Sequence, residues 1–459
     1  MHRQCGFLLL LAAALAAPGF AQDAPAESSS DLWTRSSLTG DWGGWRSKLS
    51  DDGVTIGLSE VAEVLGNTSG GQKSGAVFAG RAELAVDLDL DKLMGWHGAT
   101  IHANAFQIHG RGLTADTLGG NLFDPSNIEA TRATRLFDLY FEQSLFDDTL
   151  SIRLGQIAAD DEFLTSDYAG AFINGTFGWA GIMAADLPNG GPAYPLATPG
   201  VRIKWTPSKS FYWQTAVTNG DPAGSAQGSD DPQIRNHDGL SFSLDKDVFV
   251  ISEMGYAIAG DENTLPASFK LGGWYHSGRF DDLRYDADGG LAAVTGADPR
   301  HGTGDYGFYA VADALLWRKA DTEGQGLGAF LRIGAAPGDR NLVSFYFDTG
   351  LNYTGLFEGR DSDVFGLAFA FAKISDRAAD FDKDYNGANP AAARPVRDYE
   401  AAIELSYTYV AAPWWTIQPD LQYIIHPAAN SADPEADPAL PAPAMKNAFV
   451  LGVRTAIQF

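Results

Sequence analysis

The stretch FAGRAELAVDLDL, residues 78–90, is the clearest indication of the fold class. Its side chains alternate with a period of two, which is the periodicity of a β-strand and not of a helix. One face carries Ala82, Leu84, Val86, Leu88 and Leu90. The other face carries Arg81, Glu83, Ala85, Asp87 and Asp89. A strand of this kind separates an apolar environment from a polar one.

The same period recurs from about residue 54 to the C-terminus. The alternating stretches predict sixteen strands, near residues 54–66, 76–90, 98–109, 135–146, 149–157, 199–206, 210–219, 239–259, 267–280, 304–317, 326–335, 343–356, 362–374, 398–410, 414–425 and 446–459. The segments between them mostly alternate between short turns, such as 147–148, and long loops, such as 158–198. Short turns at one end and long loops at the other are typical of an outer-membrane barrel.

We therefore predict an all-β fold, a 16-stranded antiparallel transmembrane β-barrel over residues 54–459 with its apolar faces toward lipid. A barrel of sixteen strands leaves an aqueous channel and not a packed interior. The stretch 239–259 is interrupted by Asp245, Lys246 and Asp247 and is long enough for two strands. Seventeen strands, however, would place the two ends of the chain on opposite sides of the membrane.

The N-terminus has the pattern of a secretory signal. Arg3 precedes an apolar run over residues 7–17, and the small residues around Ala21 suit cleavage there, so residues 1–21 are predicted to be a signal peptide. Its removal takes away Cys5, the only cysteine, and leaves a chain that cannot form disulfides. Residues 22–53 are predicted to be a leader and a short N-terminal helix, with Asp41 as the helix cap.

Charge and hydropathy exclude several classes of protein. The 459 residues carry 32 Lys and Arg against 58 Asp and Glu, a net charge of −26. A nucleic-acid partner is not expected, because phosphate binding needs basic patches. Beyond the signal, no segment approaches the roughly 18–20 apolar residues of a membrane helix.

Specific motifs near both ends of the chain resemble a known family. Residues 38–46 read LTGDWGGWR, and the closing stretch holds QPDLQYII at 418–425 and VLGVR at 450–454 before the terminal Phe459. Together they are similar to the OprB-type carbohydrate-selective porins, although Trp45 stands where a smaller aliphatic residue is more usual. The resemblance covers roughly residues 37–459.

The resemblance implies a channel of the bacterial outer membrane for facilitated diffusion of monosaccharides and related sugars such as glucose. A general diffusion porin without a sugar site would have the same architecture and stays the alternative. The expected neighbours are outer-membrane lipid and lipopolysaccharide. Homotrimeric and monomeric forms are both compatible with the sequence.

Strand parity selects the side chains that reach the lumen. If the apolar faces meet lipid, the lumen receives Arg81, Glu83, Asp87, Asp138, Tyr140, Glu142, Arg153, Arg202, Lys204, Arg332, Asp348, Glu400, Glu404, Asp420 and Arg454. Sugar hydroxyls bind to such groups, so we expect Arg81, Glu83, Arg153 and Arg202 to contact substrate. The alternative is that each of these charges is paired within the wall.

Two further substrate contacts are predicted on other grounds. Glu60 shares the parity of Ile56 and Leu58, so it reaches the lumen only if a bulge intervenes, but the family resemblance suggests an acid from this strand at the constriction. The longest loop, 158–198, is rich in aromatic residues and is expected to fold into the barrel as the constriction loop. Trp179 within it is either a stacking surface for sugars or a packing residue of the loop.

Other motifs are weak. No local motif of an enzyme is present, so no enzymatic activity, cofactor or metal site is expected. Residues 380–386 begin like a Ca²⁺ loop but lack its later ligands, and they are predicted to be an acidic surface loop. An outer-membrane hydrolase and a soluble exported lectin remain the alternatives from other classes.

Overall fold

The computed structural model describes residues 31–224, 229–261, 263–320, 322, 324–437 and 440–459. The predicted signal peptide lies outside the described residues. The strands are β1 (Val54–Gly71), β2 (Gly75–Asp89), β3 (Ala99–Gly110), β4 (Ala133–Leu145), β5 (Leu150–Ile157), β6 (Thr198–Ser208), β7 (Phe211–Asn219), β8 (Val248–Ile258), β9 (Ala267–Asp286), β10 (Pro299–Arg318), β11 (Gly326–Ala335), β12 (Val343–Thr354), β13 (Val364–Ile374), β14 (Tyr399–Ala412), β15 (Trp415–Ile425) and β16 (Lys446–Gln458). Each pairs antiparallel with its neighbours in sequence, and β1 pairs with β16, so the sheet is a closed barrel as predicted.

Strand β2 shows how the sequence pattern becomes the wall of the barrel. Phe78 and Leu84 are 48% and 45% exposed on the outer face, whereas Ala79 and Ala85 are buried on the inner face. The strand ends one residue earlier than predicted, because the Asp89 carboxylate accepts the Asp91 and Lys92 N–H groups and begins a helix.

The connections are sorted by length between the two ends of the barrel. The end that carries both termini has tight turns, such as 209–210 between β6 and β7 and 413–414 between β14 and β15. The other end carries the longest connections, among them 158–197 between β5 and β6. The turn 72–74 between β1 and β2 is a short exception at that end.

The predicted strand at 239–259 is wrong in its first half. Strand β8 begins only at Val248, and the preceding residues from 240 carry no strand. Pairing stops there because β7 ends at Asn219, whose side-chain oxygen accepts the Lys246 N–H, and the Gly220 N–H then donates to the Asp247 carbonyl.

Short helices lie mainly in the connections. They are α1 (Trp45–Asp51), α2 (Leu90–Met94), α3 (Gly175–Gly178), α4 (Gly181–Asp186), α5 (Pro232–Arg235), α6 (Ala292–Thr295), α7 (Asp376–Ala388) and α8 (Pro427–Asn430), with single turns at Thr114–Leu118, Ala169–Ala171, Pro188–Gly190 and Pro390–Ala392. None of the helices in the described part of the chain is both long and apolar enough to cross a membrane.

Two predictions about helices need correction. The residue at the cap of α1 is Gly44 and not Asp41, although the Asp41 carboxylate still accepts the Ser47 N–H at 2.7 Å. Residues 380–386 lie within α7 and do not form a loop. Asp382 of this helix is buried and pairs with Arg394 and Arg397, so its charge is neutralised within the protein.

The segment 158–197 folds into the barrel and packs against its inner wall. Phe163, Phe172 and Phe177 of this segment are each at most 2% exposed. They belong to one apolar cluster with strand residues such as Phe249 and Phe330. Burial of three phenylalanines inside a polar lumen stabilises the segment there, because each removes a large apolar surface from water.

Candidate functional site

The inner face of the barrel carries the polar set that strand parity predicts. Glu142 and Arg153, for example, are opposite each other in the β4–β5 register, with Tyr140 two residues away on the same face. Arg153 lies over the Tyr140 ring at 3.8 Å from its centroid. These inner-face residues divide into two groups by what they contact.

The first group holds the inward segment in place. Arg332 on β11 donates through Nη1 to the carbonyls of Leu164 and Gly178 at 3.1 and 2.8 Å, and through Nη2 to that of Thr176 at 2.7 Å. The Arg332 Nε also bonds to Asp348 at 3.0 Å, and both side chains are almost fully buried. The guanidinium is therefore saturated by structural partners.

Carboxylates on β14 bind the loops in the same manner. Glu404 accepts the N–H groups of Ile173 and Asn174 at 2.6 and 2.9 Å. Glu400 accepts those of Leu122 and Phe123 from the other inward-folded loop, 111–132. Both side chains are fully buried, so neither is available to a solute in the lumen.

The second group lies on β2 to β6, and all of its members except Arg202 keep partial exposure. Arg153 and Arg202 are bridged by two carboxylates, that of Glu142 and that of Glu162, which lies near the start of the inward segment 158–197. Arg153 contacts Glu142 at 2.9 Å and Glu162 at 2.7 Å, and Arg202 contacts the same pair at 3.0 and 2.8 Å. We call these four residues the ion network; its charges sum to zero, and Arg153, Glu142 and Glu162 keep partial exposure.

Arg81 differs from Arg153, Arg202, Arg332 and Arg454, which all form ion pairs on the inner face. Its guanidinium stacks on Phe106 at 4.6 Å and on Tyr194 at 5.1 Å from the ring centroids. Among the described residues it forms no ion pair, and its Nε is buried without a hydrogen-bond partner. Glu83, two residues away on the same face, accepts a hydrogen bond from Asn104 at 3.1 Å. Arg81 thus has donors that the protein itself does not use.

One aspartate of the inward segment, Asp160, lies within electrostatic reach of Arg81. Asp160 accepts the Tyr194 N–H at 2.9 Å. Burial, together with the neighbouring Asp161 charge, raises the pKa of Asp160 to about 8, and the Arg81 charge opposes this shift. Burial also raises the pKa of Asp161.

Trp179 is fixed by contacts within its own segment. Its indole Nε1 donates to the Gly190 carbonyl at 2.8 Å, and its ring is half-buried against the apolar cluster of the segment. These contacts agree with the packing role, and they leave part of the ring accessible.

Glu60 does not reach the lumen. The β1–β2 register runs without a bulge from residue 54 to residue 67, so Glu60 stays on the outer face with Leu58 and Val64. The acid that β1 supplies to the inner face is Glu63, which pairs with Arg454 at 2.7 Å. The prediction that Glu60 reaches the lumen at the constriction is therefore wrong, because the parity of β1 places its side chain on the outer face.

Sequence reasoning did not single out Glu162 or Tyr194. Glu162 closes the acidic run Asp160–Asp161–Glu162 at the start of the longest loop, and that position was a usable signal. Tyr194 has no comparable signal, because its stack on Arg81 depends on how the inward segment returns to the wall.

The described residues hold no arrangement that suits a metal ion. No group of three or more His, Cys, Asp or Glu side chains in this part of the chain is placed to bind one. The chemistry of the inner face is thus that of charged hydrogen-bonding groups and aromatic rings.

A closed sixteen-stranded barrel with an apolar outer face, a polar inner face and an inward segment is an outer-membrane porin. The profile of the carbohydrate-selective porin family OprB matches residues 73–459, and the chain belongs to that family. It is a sugar-selective porin of the bacterial outer membrane, and its family and fold point to a channel.

Individual relatives agree with the family. Porin B of Pseudomonas aeruginosa is 26% identical over 443 residues, which cover 93% of each chain. The high-pH structure of Pseudomonas putida OprB superimposes with a TM-score of 0.83 at 25% identity, over 94% of this chain and all of that one. The low-pH structure of Pseudomonas putida OprB, at 18% identity and a TM-score of 0.56, shares the fold.

Proposed function

We propose that monosaccharides and related sugars such as glucose cross the outer membrane along the wall formed by β2 to β6, by facilitated diffusion. The observation that carries this proposal is the partly exposed Arg81 side chain, which forms no ion pair among the described residues and stands beside Glu83 and within electrostatic reach of Asp160. A sugar hydroxyl both donates and accepts, so it suits a site with an unused donor next to an acceptor.

The ion network supplies the second half of this path. Arg153 and Arg202 are already paired, so a sugar exchanges hydrogen bonds with the partly exposed Glu142 and Glu162 at little net gain. Weak contacts of this kind suit transport, because a channel that binds its solute tightly releases it slowly.

Trp179 is proposed to offer the accessible part of its ring to the apolar face of a pyranose. The hydrogen bond to Gly190 would then serve to orient the ring. Trp179→Phe keeps an aromatic face but loses this bond, whereas Trp179→Ala loses both. If stacking matters, glucose block of the ion current should survive in the Phe variant and weaken in the Ala variant. Equal block constants in all three proteins would contradict the stacking role.

The test of the function is the ion current through single channels in a planar bilayer. Added glucose should reduce the current in a saturable manner, because a bound sugar occupies the path of the ions. Liposome swelling separates a selective channel from a general one: glucose should enter faster than an amino acid of similar size. Equal rates, together with no saturable block, would favour a general diffusion porin.

The outer face of the barrel indicates which molecules surround the protein in the membrane. Leu154, Leu271 and Phe308 are more than half exposed on that face, which suits contact with outer-membrane lipid and, in the outer leaflet, lipopolysaccharide. We also propose a homotrimer as one assembly compatible with the chain, with a monomer as the alternative.

A further inference from the structure

A groove runs along the outer face of β10, in the half of the barrel that is nearer to the chain termini. Its floor consists of alanines at alternate positions, Ala310, Ala312 and Ala314. In the strand register, Ala310 lies between Leu271 of β9 and Ile333 of β11. The small floor residues between larger neighbours leave a depression of about 450 Å³. We call this depression the β10 groove.

The two ends of the β10 groove differ. At the upper end the Phe308 side chain stands out from the wall and is 65% exposed. At the lower end Ala314 is opposite Ala267 of β9, so the wall is low there. The Trp317 ring, further down the strand, lies against Tyr353 of β12 with 5.8 Å between the ring centroids. The groove is therefore open downward, toward the turn between β8 and β9.

Charged groups of both signs lie at the lower end of the β10 groove. Arg318 Nη1 donates to the Asp261 carbonyl at 2.8 Å, and Lys319 Nζ donates to the Gly355 carbonyl at 3.3 Å. Within the described part of the chain, neither cation has a carboxylate at ion-pair distance. The Asp261 carboxylate accepts two N–H groups of its own turn, both at 2.7 Å, so the turn fixes it within electrostatic reach of Arg318.

The β10 groove lies in the leaflet of the membrane that faces the periplasm. The end of the barrel with the tight turns is the periplasmic end in outer-membrane barrels. A strand tilted by about 40° rises about 2.5 Å per residue, so Ala314 and Ala312 lie about 10 and 15 Å above Arg318. One leaflet of the hydrocarbon core is about 15 Å thick. The groove therefore extends from the headgroup level to the depth that a phospholipid acyl chain reaches.

We propose that the β10 groove binds one phospholipid whose headgroup carries an ammonium group, such as phosphatidylethanolamine. One acyl chain lies along the alanine floor, the phosphate binds Arg318 and Lys319, and the ammonium group binds the Asp261 carboxylate. Charge complementarity selects this occupant, because the lower end of the groove offers cations and an anion to a headgroup that carries both signs. Packing in the groove adds dispersion contacts that a flat wall does not give an acyl chain. The inference rests on the proposed lipid contact of the outer face, but not on which solute the channel passes.

Native mass spectrometry of the protein, extracted from outer membranes in mild detergent, tests this site. The wild-type protein should carry one phosphatidylethanolamine per chain. Ala312→Phe fills the groove, so the bound fraction should fall about tenfold. Ala105→Phe is the matched control, because Ala105 is a partly exposed outward alanine of β3, opposite Leu84 of β2. The control should retain the lipid at the wild-type level.

Recognition of the headgroup is tested by a second variant and a second lipid. Arg318→Gln leaves the alanine floor intact and should also lower the bound fraction about tenfold, because it removes the charge-assisted contact with the phosphate. Delipidated wild-type protein should take up phosphatidylethanolamine in preference to phosphatidylglycerol, which lacks the ammonium group.

The remaining outcomes contradict the proposal. Equal retention in Ala312→Phe and Ala105→Phe, full retention in Arg318→Gln, or a preference for phosphatidylglycerol would each overturn the lipid site. Single-channel conductance of the same preparations shows whether the barrel is folded. If Ala312→Phe does not fold, Arg318→Gln and the comparison of the two lipids still decide. Glucose block of the current should stay at the wild-type value in every folded variant, so failure of the lipid site is distinguishable from failure of the sugar channel.

Discussion

Arg81 has hydrogen-bond donors without acceptors among the described residues, and this makes it the residue where a substitution is most informative. We expect Arg81→Gln to raise the glucose concentration for half-maximal block about tenfold, equivalent to about 1.4 kcal/mol. The physical reason is the loss of a charge-assisted hydrogen bond to a sugar hydroxyl. The measurement is the titration of single-channel current with glucose.

Arg111→Gln is the control for this prediction. It removes the same charge from the loop 111–132, where the Arg111 side chain is 60% exposed and pairs with Asp116 at 3.1 Å. Its half-block concentration should stay at the wild-type value. If both variants weaken block equally, the effect is one of net charge and not of a contact at Arg81.

Because the pKa of Asp160 is raised, we expect the ion selectivity of the channel to depend on pH. Its pKa of about 8 keeps it protonated at neutral pH, and ionisation above that value adds a negative charge near Arg81. The preference for cations, measured as the reversal potential in a salt gradient, should therefore increase between about pH 6 and about pH 9.5. Asp160→Asn should remove most of this increase, and an unchanged pH profile in that variant would contradict the assignment.

The raised pKa of Asp160 also makes the free energy of unfolding depend on pH. The direction of this dependence is opposite to that of a salt-bridged aspartate, whose pKa is lowered. In the unfolded chain an aspartate ionises near pH 3.9, whereas folded Asp160 keeps its proton to about pH 8. Between these values the folded state binds more protons than the unfolded state. The contribution of Asp160 to the free energy of unfolding therefore falls as the pH rises through this window.

The sequence predicts which side chains face the lumen, but it does not predict which of them are already hydrogen-bonded. Those hydrogen-bond partners lie far away along the chain. Parity assigns Arg81 and Arg332 equally to the inner face, yet only Arg81 is left with unused donors. Arg332 is saturated by carbonyls more than 150 residues earlier, and no local pattern encodes that contact. Parity alone did place Glu60 on the outer face, and the family resemblance was the weaker guide there.

At the scale of elements, the inward segment depends on buried ionic contacts with the wall. We expect Arg332→Met to destabilise the barrel by about 3 kcal/mol or more, because it leaves the Asp348 carboxylate buried without its partner. It also removes three hydrogen bonds to the segment 158–197, so single-channel conductance should rise as the segment leaves the lumen. Thermal unfolding and conductance measure the two effects.

A double variant separates these two consequences. Arg332→Met combined with Asp348→Asn removes the buried, unpaired charge of Asp348. It does not restore the three hydrogen bonds from Arg332 to the segment 158–197. Stability should recover in part, while conductance should stay high. If conductance returns to the wild-type value in the double variant, Arg332 does not hold the segment in place.

Strands were more predictable than loops because alternation is a local property. The period of two located sixteen strands in the described residues, and it misjudged only segments such as 239–247, where polar residues mimic a strand without a partner. The inward packing of 158–197 followed from its aromatic content, since exposed loops seldom carry so many. Its hydrogen bonds to Arg332 and Glu404 did not follow, because they pair side chains with backbone groups.

At the scale of the whole molecule, closure of the barrel depends on the seam between β1 and β16. The Leu38 N–H donates to the Gln458 carbonyl at 2.7 Å, and Arg46 donates to the main-chain oxygen of the terminal Phe459 at 2.6 Å. The stretch 38–46, which carries part of the resemblance to the family, thus has a physical role: it binds the C-terminal residues to the segment that precedes β1. The resemblance was noted on this stretch, but only the fold brings it to the seam.

Arg46→Ala should therefore weaken the closed barrel. The lost charge-assisted bond is worth about 1.5–3 kcal/mol, so the temperature at which the folded band disappears from SDS gels should fall. Lys48→Ala is the control, since Lys48 lies exposed on the same helix α1 and contacts the Trp45 ring. A fall of equal size in both variants would mean that α1 matters as a helix, whereas a fall confined to Arg46→Ala locates the effect at the contacts of Arg46 with Phe459, Ser37 and Gly40. Only the second outcome makes the seam a point where the ends of the chain determine the stability of the channel.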